Sequence, residues 1–277
     1  MGTALGALLG TFSEVCHSSV DLPEIDVADF GAFARVVDGF RPNAVINCAA
    51  FTDVDACETR EAEAMRVNGE APGMMAAECR ARGIRFVHVG TDYVFDGTGT
   101  RPYREDDPPN PLSAYGRTKL AGEKAVLSAY PEALIVRTAW LYGAKKSFVR
   151  TIAEKARRGE ALSVVNDQHG APTSAGDLAG AIFLLLEKEA SGLVHFVNAG
   201  ETTWHGVARQ VLDVLKLDVP LKAVTTEEYL RSRPPGSPPV APRPRYSLLD
   251  TSLYTRITGK NPRNWKEALE ERLKITS

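Results

Sequence analysis

Short apolar runs alternate with amphipathic stretches through the first half of the chain. The runs at 44–50, 84–90 and 133–137 have the length and composition of buried strands. The stretches at 60–82 and 113–129 place apolar residues at helical spacing, and Gly83 ends the first of them. This alternation predicts an α/β fold in which a parallel sheet carries helices on both faces.

The pattern becomes less regular after residue 145. It predicts helices at 148–158, 174–189, 203–215 and 264–273 and a strand at 193–197, whereas the proline-rich segment 231–244 is predicted to lack regular structure. We therefore divide the chain into a main domain, 1–145, and a smaller lobe, 146–277, some segments of which return to the main domain.

Composition excludes several classes of protein. Hydrophobic residues make up 44% and charged residues 25%, and the net charge of −2 includes no block of like charge, so neither a nucleic acid nor a membrane is an expected partner. The longest apolar run, 181–186, is too short to span a bilayer. Four cysteines without a C-x-x-C pair fit reduced thiols in a cytoplasmic protein, and the five histidines show no metal-ligand spacing.

Candidate chemistry lies where the strands end, because ligands of open parallel sheets bind beyond the carboxyl ends of the strands. Tyr115 and Lys119 are four residues apart, so one helix face carries both. A nearby ammonium lowers the pKa of a phenol toward neutrality, which would let Tyr115 give a proton to a carbonyl oxygen. That spacing arises often by chance. Thr91, at a predicted strand end, adds a hydroxyl that can bind the same oxygen and makes the pair a candidate site.

These features resemble the extended short-chain dehydrogenase/reductases and, within them, the dTDP-4-dehydrorhamnose reductase family. The motifs follow the family's order through nearly the whole chain: VINCAA at 45–50, VDACE at 54–58, GTDYVFDG at 90–97, PLSAYGRTKLAGE at 111–123, VRTAWLYG at 136–143, DQHGAPTS at 167–174 and RPRYSLL at 243–249. Several of them would be weak alone, and together they are specific.

The resemblance implies a Rossmann-type doubly wound sheet, with 1–145 as the dinucleotide-binding domain and 146–277 mainly as the substrate-binding lobe. It also implies reduction of dTDP-4-dehydro-L-rhamnose to dTDP-L-rhamnose by NADPH or NADH, a step in dTDP-rhamnose biosynthesis for cell-wall polysaccharide. In the implied catalytic triad, Thr91 orients the carbonyl and Tyr115 donates the proton. Lys119 holds the nicotinamide ribose and lowers the pKa of Tyr115.

Two further sets of residues follow from the same resemblance. The implied cofactor-binding residues are Gly2, Asp26, Val27, Ala49, Ala50, Tyr115 and Lys119. The implied substrate-binding residues are Thr91, Asp92, Trp140, Gln168, Pro172, Thr173 and Arg245. Some reductases of this family carry magnesium between subunits, but its ligands cannot be placed in this sequence, and a homodimer is left open.

Three alternatives remain at this stage. One is another nucleotide-sugar reductase or epimerase of the same superfamily. Another is a non-catalytic regulatory subunit like the β subunit of methionine adenosyltransferase, which the 136–140 and 167–173 motifs fit less well. A metalloenzyme has little support. The resemblance disfavours a sugar-nucleotide 4,6-dehydratase, because Asp92 is followed by Tyr93 and not by the second carboxylate of the dehydratases.

The amino terminus departs from the family's pattern. The family begins with a strand and a G-x-x-G-x-x-G turn, whereas here Gly2 aligns with the last of these glycines and the first strand and first two glycines have no counterpart. We expect open strand edges and weak dinucleotide binding for this chain. Segment 15–21, expected to end a second strand, contains no arginine for a 2′-phosphate, and the resemblance alone favours NADP(H) over NAD(H).

Overall fold

A computed structural model of the chain describes residues 1–143 and 147–275. Its strands, in chain order, are β1 (Ala44–Asn47), β2 (Arg85–Thr91), β3 (Leu134–Thr138), β4 (Leu141–Tyr142), β5 (Leu162–Val165), β6 (His169–Gly170), β7 (Thr173–Ser174), β8 (Gly192–His195), β9 (Thr202–Thr203) and β10 (Leu221–Val224). Its α-helices are α1 (Gly2–Leu9), α2 (Phe30–Phe40), α3 (Val54–Cys57), α4 (Glu61–Ala64), α5 (Ala71–Ala81), α6 (Ala114–Ala129), α7 (Phe148–Arg157), α8 (Ala175–Glu187), α9 (Trp204–Leu215), α10 (Thr226–Arg231), α11 (Ser252–Thr258) and α12 (Trp265–Ile275).

The main sheet has the order β1-β2-β3-β8, and every neighbouring pair is parallel. Phe86 and Ile135 face the side covered by α2, α5 and α6. Val87, Leu134 and Val136 face the opposite side, which α1 and α8 cover. Successive strand residues point to opposite faces, so both faces are buried and most strand residues are apolar, with buried polar exceptions such as Asn47, His88 and Arg137. The predicted Rossmann-type doubly wound α/β fold is confirmed.

Helix α6 lies very close to its neighbours. A Cβ added at Gly116 would lie 2.2 Å from the backbone oxygen of Tyr93, and one added at Gly122 would lie 2.0 Å from that of Asn68. Ser113 caps the helix by accepting a hydrogen bond from the backbone N–H of Gly116. The absence of side chains at these two glycines therefore lets the first turn of α6 reach the carboxyl end of β2.

The helix predicted at 60–82 is present but is interrupted by a π-helical turn, Met65–Glu70, between α4 and α5. Asn68 in this turn accepts a hydrogen bond from the backbone N–H of Phe51 at 2.8 Å and donates to the backbone oxygen of Phe51 at 3.1 Å. It also donates to Thr118 Oγ1 of α6 at 3.2 Å. The turn thus directs one amide toward both the loop after β1 and the helix that carries Tyr115.

The second half of the chain forms its own apolar core and also completes the main sheet. Helices α7, α9 and α12 pack around the parallel pair β5 and β10, with Leu212 and Leu269 almost fully buried. In contrast, α8 and β8 belong to the main sheet and its covering layer. Segment 232–244 has no helix or strand, which agrees with the prediction for 231–244 except at Arg231, the last residue of α10. The expected boundary between residues 145 and 146 lies outside the described residues.

The sheet has an open edge at β1, as expected, because β1 pairs only with β2 among the described residues. The expectation of a strand ending at 15–21 is wrong, since this segment has no regular structure. It lies in no ladder, and an extended segment without a neighbouring strand cannot satisfy its backbone groups as a strand does. Helix α1 packs instead on the face of the sheet, where Leu5 joins the apolar cluster of α8.

Helix length limits what these segments can do in a lipid environment. Helix α6 has 16 residues and α8 has 13, and spanning the hydrocarbon core requires about 20 apolar residues. Throughout the described part of the chain, none of the helices combines the length and apolarity needed to cross a membrane.

We predict that Gly122→Ala destabilises the protein, because the new methyl group would collide with the backbone oxygen of Asn68. The free energy of unfolding should fall by about 1–3 kcal/mol, the usual cost of overpacking. Gly180→Ala in helix α8 is the matched control, since its methyl group would meet nothing within 4 Å. This substitution should be neutral or should stabilise the protein by up to about 1 kcal/mol. Urea unfolding measures both, and equal stability of the two variants would contradict the prediction.

Candidate active site at the carboxyl end of the sheet

Thr91 and Tyr115 meet where β2 ends and α6 begins. Thr91 is buried, and its hydroxyl accepts a hydrogen bond from the backbone N–H of Tyr93 at 3.3 Å and donates to Asp92 Oδ1 at 3.1 Å. The hydroxyl of Thr91 is also close enough to lower the pKa of the Tyr115 phenol. Tyr93 packs edge-on against Tyr115 with ring centroids 5.5 Å apart. The structure therefore brings together the two hydroxyls predicted to bind one carbonyl oxygen.

Lys119 lies one turn further along α6 and is almost fully buried. Its Nζ donates to the backbone oxygen of Val89 at 2.7 Å and lies 3.1 Å from Nε2 of His88. Both contacts are with strand β2. The amine is thus held against the strand just below Thr91.

Burial sets the pKa values of this pair. Removal of water raises the pKa of the Tyr115 phenol, and the Thr91 hydroxyl only partly opposes this shift. Burial also lowers the pKa of Lys119 to about 8, against the opposing charges of Glu123 and Cys48. That Lys119 lowers the pKa of Tyr115 stays a prediction. Lys119 is directed to β2, and desolvation of the phenol dominates.

Asp92 brings a buried carboxyl group next to Thr91. Burial raises its pKa to about 7, while the hydroxyls of Ser247 and Thr91 oppose the shift. Among the described residues, Asp92 Oδ2 and the hydroxyls of Thr138, Tyr142 and Ser247 are buried without a partner in good hydrogen-bond geometry, although the Ser247 hydroxyl lies close enough to Asp92 to act on its pKa. Thr138 stands beside Thr91 in the register of β2 and β3. Unpaired buried polar groups are costly, and a polar ligand at this edge would satisfy them.

Trp140 is held in an unusual conformation beyond the end of β3. Its φ of 46° is left-handed, which is uncommon for a bulky side chain. Its ring stacks on Trp204 with centroids 3.9 Å apart and an interplanar angle of 10°. A Cβ at Gly170 would lie 2.7 Å from the same ring. The indole is therefore fixed on one face and along one edge, as suits an aromatic platform for a sugar.

Three of the predicted substrate-binding residues lie near this platform: Gln168, Pro172 and Thr173. The amide of Gln168 accepts from Trp204 Nε1 at 3.2 Å and donates to Thr226 at 3.0 Å, so both of its ends are occupied by protein. Pro172 and Thr173 are buried, and the N–H of Thr173 donates to the backbone oxygen of Trp140 at 3.3 Å. Thr173 thus holds the backbone of Trp140 directly, and Gln168 holds the Trp204 ring on which Trp140 stacks, roles that the sequence did not predict.

The two arginines of the RPRY motif have different environments. The side chain of Arg245, predicted to bind diphosphate, is exposed. Arg243 is instead turned inward: its Nη1 lies 2.6 Å from Asp55 Oδ1, and it also interacts with Tyr93 beside Tyr115. Sequence reasoning missed Arg243, although its place in the same motif was a usable signal.

The residues predicted to bind cofactor occupy two parts of the structure. Ala49 and Ala50 follow β1 and are half-buried. Burial raises the pKa of the neighbouring Cys48 thiol to about 11, and the charged amino terminus next to Gly2 and the charge of Lys119 only partly oppose this shift. The N-terminal end of α1, two small residues and Lys119 therefore share one edge of the sheet. This arrangement fits a dinucleotide, whose phosphates bind at helix N-termini.

Asp26 and Val27 lie further away, in the turn before α2. Asp26 accepts a hydrogen bond from the backbone N–H of Ala28 at 2.9 Å and pairs with Arg66 at 3.3 Å. Val27 packs against the core on that side of the sheet.

Metal chemistry gains no support from the geometry, since no cluster of three or more His, Cys, Asp or Glu side chains in 1–143 and 147–275 could hold an ion.

Comparison with known proteins gives a consistent result. The RmlD substrate binding domain family matches residues 1–277. The dTDP-4-dehydrorhamnose reductase of Streptomyces griseus is 42% identical over 255 residues, covering 89% of this chain and 81% of the relative. The dTDP-4-keto-6-deoxy-D-glucose reductase of Streptomyces niveus is 41% identical over 277 residues, covering 98% and 92%. The crystal structure of dTDP-4-dehydrorhamnose reductase from Bacillus anthracis in complex with NADP superposes with a TM-score of 0.88 at 31% identity, covering 99% and 95%.

We predict that Asp92 makes stability depend on pH. Its pKa lies above the ordinary value of 3.8, at about 7 in the folded protein, so the folded state retains a proton that the unfolded state has released. Its contribution to stability is complete below pH 3.8 and is lost as pH rises to about 7. Asp92→Asn cannot ionise and should lack this loss.

Urea unfolding between pH 4 and 8 would measure the free energy of unfolding of the wild type and of Asp92→Asn. The difference between the two values isolates Asp92, because the other titrating groups are common to both proteins. The wild type should lose stability relative to Asp92→Asn as pH rises. A difference that stays constant across this range would show that Asp92 ionises normally.

Proposed function

Because this chain belongs to the RmlD substrate binding domain family, we propose that it reduces the 4-keto group of dTDP-4-dehydro-L-rhamnose to give dTDP-L-rhamnose. It is an oxidoreductase that uses a nicotinamide cofactor. The Streptomyces griseus relative bears the name of this activity, and the Bacillus anthracis structure contains NADP.

The observation that carries the proposal is the meeting of Thr91 and Tyr115 above the buried Lys119. The cofactor, when bound, supplies a hydride to C4 of the sugar. Thr91 and Tyr115 hold the carbonyl oxygen, and Tyr115 donates its proton as negative charge develops there. Because burial raises the pKa of the phenol, Tyr115 is fully protonated at neutral pH and ready to donate to the more basic alkoxide.

The substrate side of the proposal rests on the second half of the chain. We propose that residues 146–277 form mainly the substrate-binding lobe, although β8 and α8 return to the sheet. Trp140 would bind a face of the sugar, and the unpaired oxygen of Asp92 would accept a hydrogen bond from one of its hydroxyls. Exposed Arg245 would pair with the diphosphate. Gln168, Pro172 and Thr173 would act on the substrate through Trp140.

For the cofactor we favour NADP(H), with NAD(H) as the alternative. Ala49, Ala50, Lys119 and the Gly2 end of α1 would hold it along the carboxyl edge of the sheet, with Asp26 and Val27 on the adenine side. The ratio of kcat/KM for NADPH and NADH tests the preference. Magnesium, a homodimer and a cytoplasmic location stay predictions from the sequence.

A second substrate deserves a direct comparison, because the Streptomyces niveus relative is named for reduction of dTDP-4-keto-6-deoxy-D-glucose. This sugar carries the same keto group in a different ring stereochemistry. The Thr91–Tyr115 arrangement acts on either ketone, so the contacts of the ring with Trp140 and Asp92 would decide between them. The same arrangement favours an enzyme over a regulatory subunit, which needs no proton donor.

We predict that Tyr115→Phe lowers kcat for dTDP-4-dehydro-L-rhamnose by about 10²–10⁴-fold, the usual contribution of a positioned proton donor. Its affinity for NADPH should change little, because only a hydroxyl is removed. Tyr130→Phe is the matched control at the other end of α6 and should retain wild-type activity. Steady-state NADPH oxidation measures both, and full activity of Tyr115→Phe would refute the assigned proton donor.

We also predict that the L-rhamnose precursor is turned over with the higher kcat/KM. The two dTDP-4-keto sugars should be assayed side by side, with the products identified by NMR. A higher kcat/KM for the D-glucose derivative would assign this chain the activity named for the Streptomyces niveus relative.

A further inference from the structure

Thr91 has a single hydroxyl hydrogen, and two groups at the candidate site compete for it. Thr91 is 5% exposed and Asp92 is 1% exposed, so bulk water does not reach either side chain. The Thr91 oxygen lies 3.1 Å from Asp92 Oδ1 and accepts the backbone N–H of Tyr93 at 3.3 Å. A ketone oxygen only accepts hydrogen bonds, so Thr91 must donate its hydrogen in order to bind one.

The protonation state of Asp92 decides where this hydrogen goes. A carboxylate only accepts, so beside an ionised Asp92 the 3.1 Å contact requires Thr91 to be the donor. The ketone is then left with Tyr115 as its donor. A carboxylic acid can donate instead, in which case Thr91 Oγ1 accepts from Asp92 and its own hydrogen is free to turn toward the ketone.

The two oxygens of Asp92 have different surroundings, and these surroundings place the proton. Oδ1 lies against Thr91, whereas Oδ2 is buried without a partner in good hydrogen-bond geometry among the described residues. A proton on Oδ1 therefore finds an acceptor in Thr91 Oγ1. Oδ2 keeps its lone pairs, which suits the contact with a sugar hydroxyl proposed above.

We propose that Asp92 acts in its protonated form as a positioning residue for Thr91, donating to the Thr91 oxygen so that the Thr91 hydroxyl donates to the substrate ketone. This role rests on the proposed function, in which Thr91 and Tyr115 hold that ketone. It makes the proton of one buried carboxyl group a condition for the complete pair of donors.

Hydroxyls and phenols surround Asp92. The hydroxyls of Ser247 and Thr91 only partly oppose the burial that raises the pKa of Asp92. The phenols of Tyr93 and Tyr115 also face Asp92, and burial raises the pKa of each, to about 12 for Tyr93, so both are uncharged at neutral pH. None of these four groups supplies a positive charge that would hold Asp92 ionised.

Two cations of the site are bound to other partners. Arg243 Nη1 lies 2.6 Å from Asp55 Oδ1. Lys119 Nζ donates to the backbone oxygen of Val89 at 2.7 Å. Neither contact involves Asp92, so burial is the dominant influence on whether its carboxyl group keeps a proton.

The proton of Asp92 has a consequence for the rate of reduction. Negative charge develops on the ketone oxygen during the reaction, and loss of one donor to such an oxyanion usually costs about 10²–10³-fold in rate. Protein with an ionised Asp92 therefore contributes little turnover. The value of kcat/KM follows the fraction of free protein in which Asp92 is protonated.

The first test is the pH profile of ketone reduction. Because the pKa of Asp92 is about 7, kcat/KM of the wild type for dTDP-4-dehydro-L-rhamnose should be about tenfold lower at pH 8 than at pH 6. Titration of Lys119, whose pKa is about 8, would lower it only about twofold over this range.

Asp92→Asn imitates the acid, because its amide can donate to Thr91 and accept from the sugar. The tenfold ratio between the two pH values should disappear in this variant, whatever its absolute activity. Asp106→Asn is the matched control, since it removes the same charge at an exposed position in the loop after β2, and it should keep the wild-type ratio.

The second test counts protons when the ketone binds without turnover. With NADP⁺ in place of NADPH the ketone cannot be reduced, and calorimetry in buffers of different ionisation enthalpy measures proton uptake. At pH 8 most of the free wild type has an ionised Asp92, so about one proton should be taken up per bound dTDP-4-dehydro-L-rhamnose, with much less at pH 6. Asp92→Asn should lack this difference.

The outcomes separate this inference from the proposed function. Equal proton uptake by the wild type at pH 6 and 8 would overturn the role of Asp92 without any variant having to fold. A tenfold fall that persists in Asp92→Asn, or reduction of a dTDP-4-keto sugar with a flat wild-type profile, would overturn the inference and leave the function intact. Proton uptake that depends on Asp92, in a protein that reduces neither dTDP-4-keto sugar, would support the inference and refute the function.

Discussion

The close approach of helix α6 to the end of β2 is the constraint on which the site depends. With Gly116 and Gly122 at the contacts, α6 fits against the backbones of Tyr93 and Asn68, and a side chain at either position would push the helix outward. At this distance Tyr115 reaches Thr91, and Lys119 reaches the backbone oxygen of Val89 at 2.7 Å. The geometry of the candidate site is therefore determined by packing of the helix before any ligand contact is made.

The same close packing explains the chemistry. It excludes water from Tyr115 and Lys119, so the pKa of the phenol rises and that of the amine falls to about 8. The rise keeps the phenol protonated at neutral pH, which describes a proton donor at rest.

The sequence predicted features that depend on local pattern. The apolar runs at 84–90 and 133–137 predicted the bounds of β2 and β3 to within about one residue. Ser113 and the apolar spacing after it predicted α6. Together these predictions placed Thr91 and Tyr115 at one strand end. The direction of the Lys119 side chain was not predictable, since His88, which it contacts, lies 31 residues away along the chain. The motif does not reveal that Trp204 and Thr226 bind the amide of Gln168, because these partners are distant in the sequence. Segment 15–21 has the composition of a strand end but no strand to pair with.

The most direct test of the account is the fate of the hydride. dTDP-4-dehydro-L-rhamnose should be incubated with the protein and NADPH carrying deuterium at both C4 positions of the nicotinamide, and the sugar analysed by mass spectrometry and NMR. The account predicts one deuterium per molecule, located at C4 of the sugar, with one cofactor oxidised for each product formed. Deuterium at another carbon, or an unreduced ketone with unchanged cofactor, would contradict it.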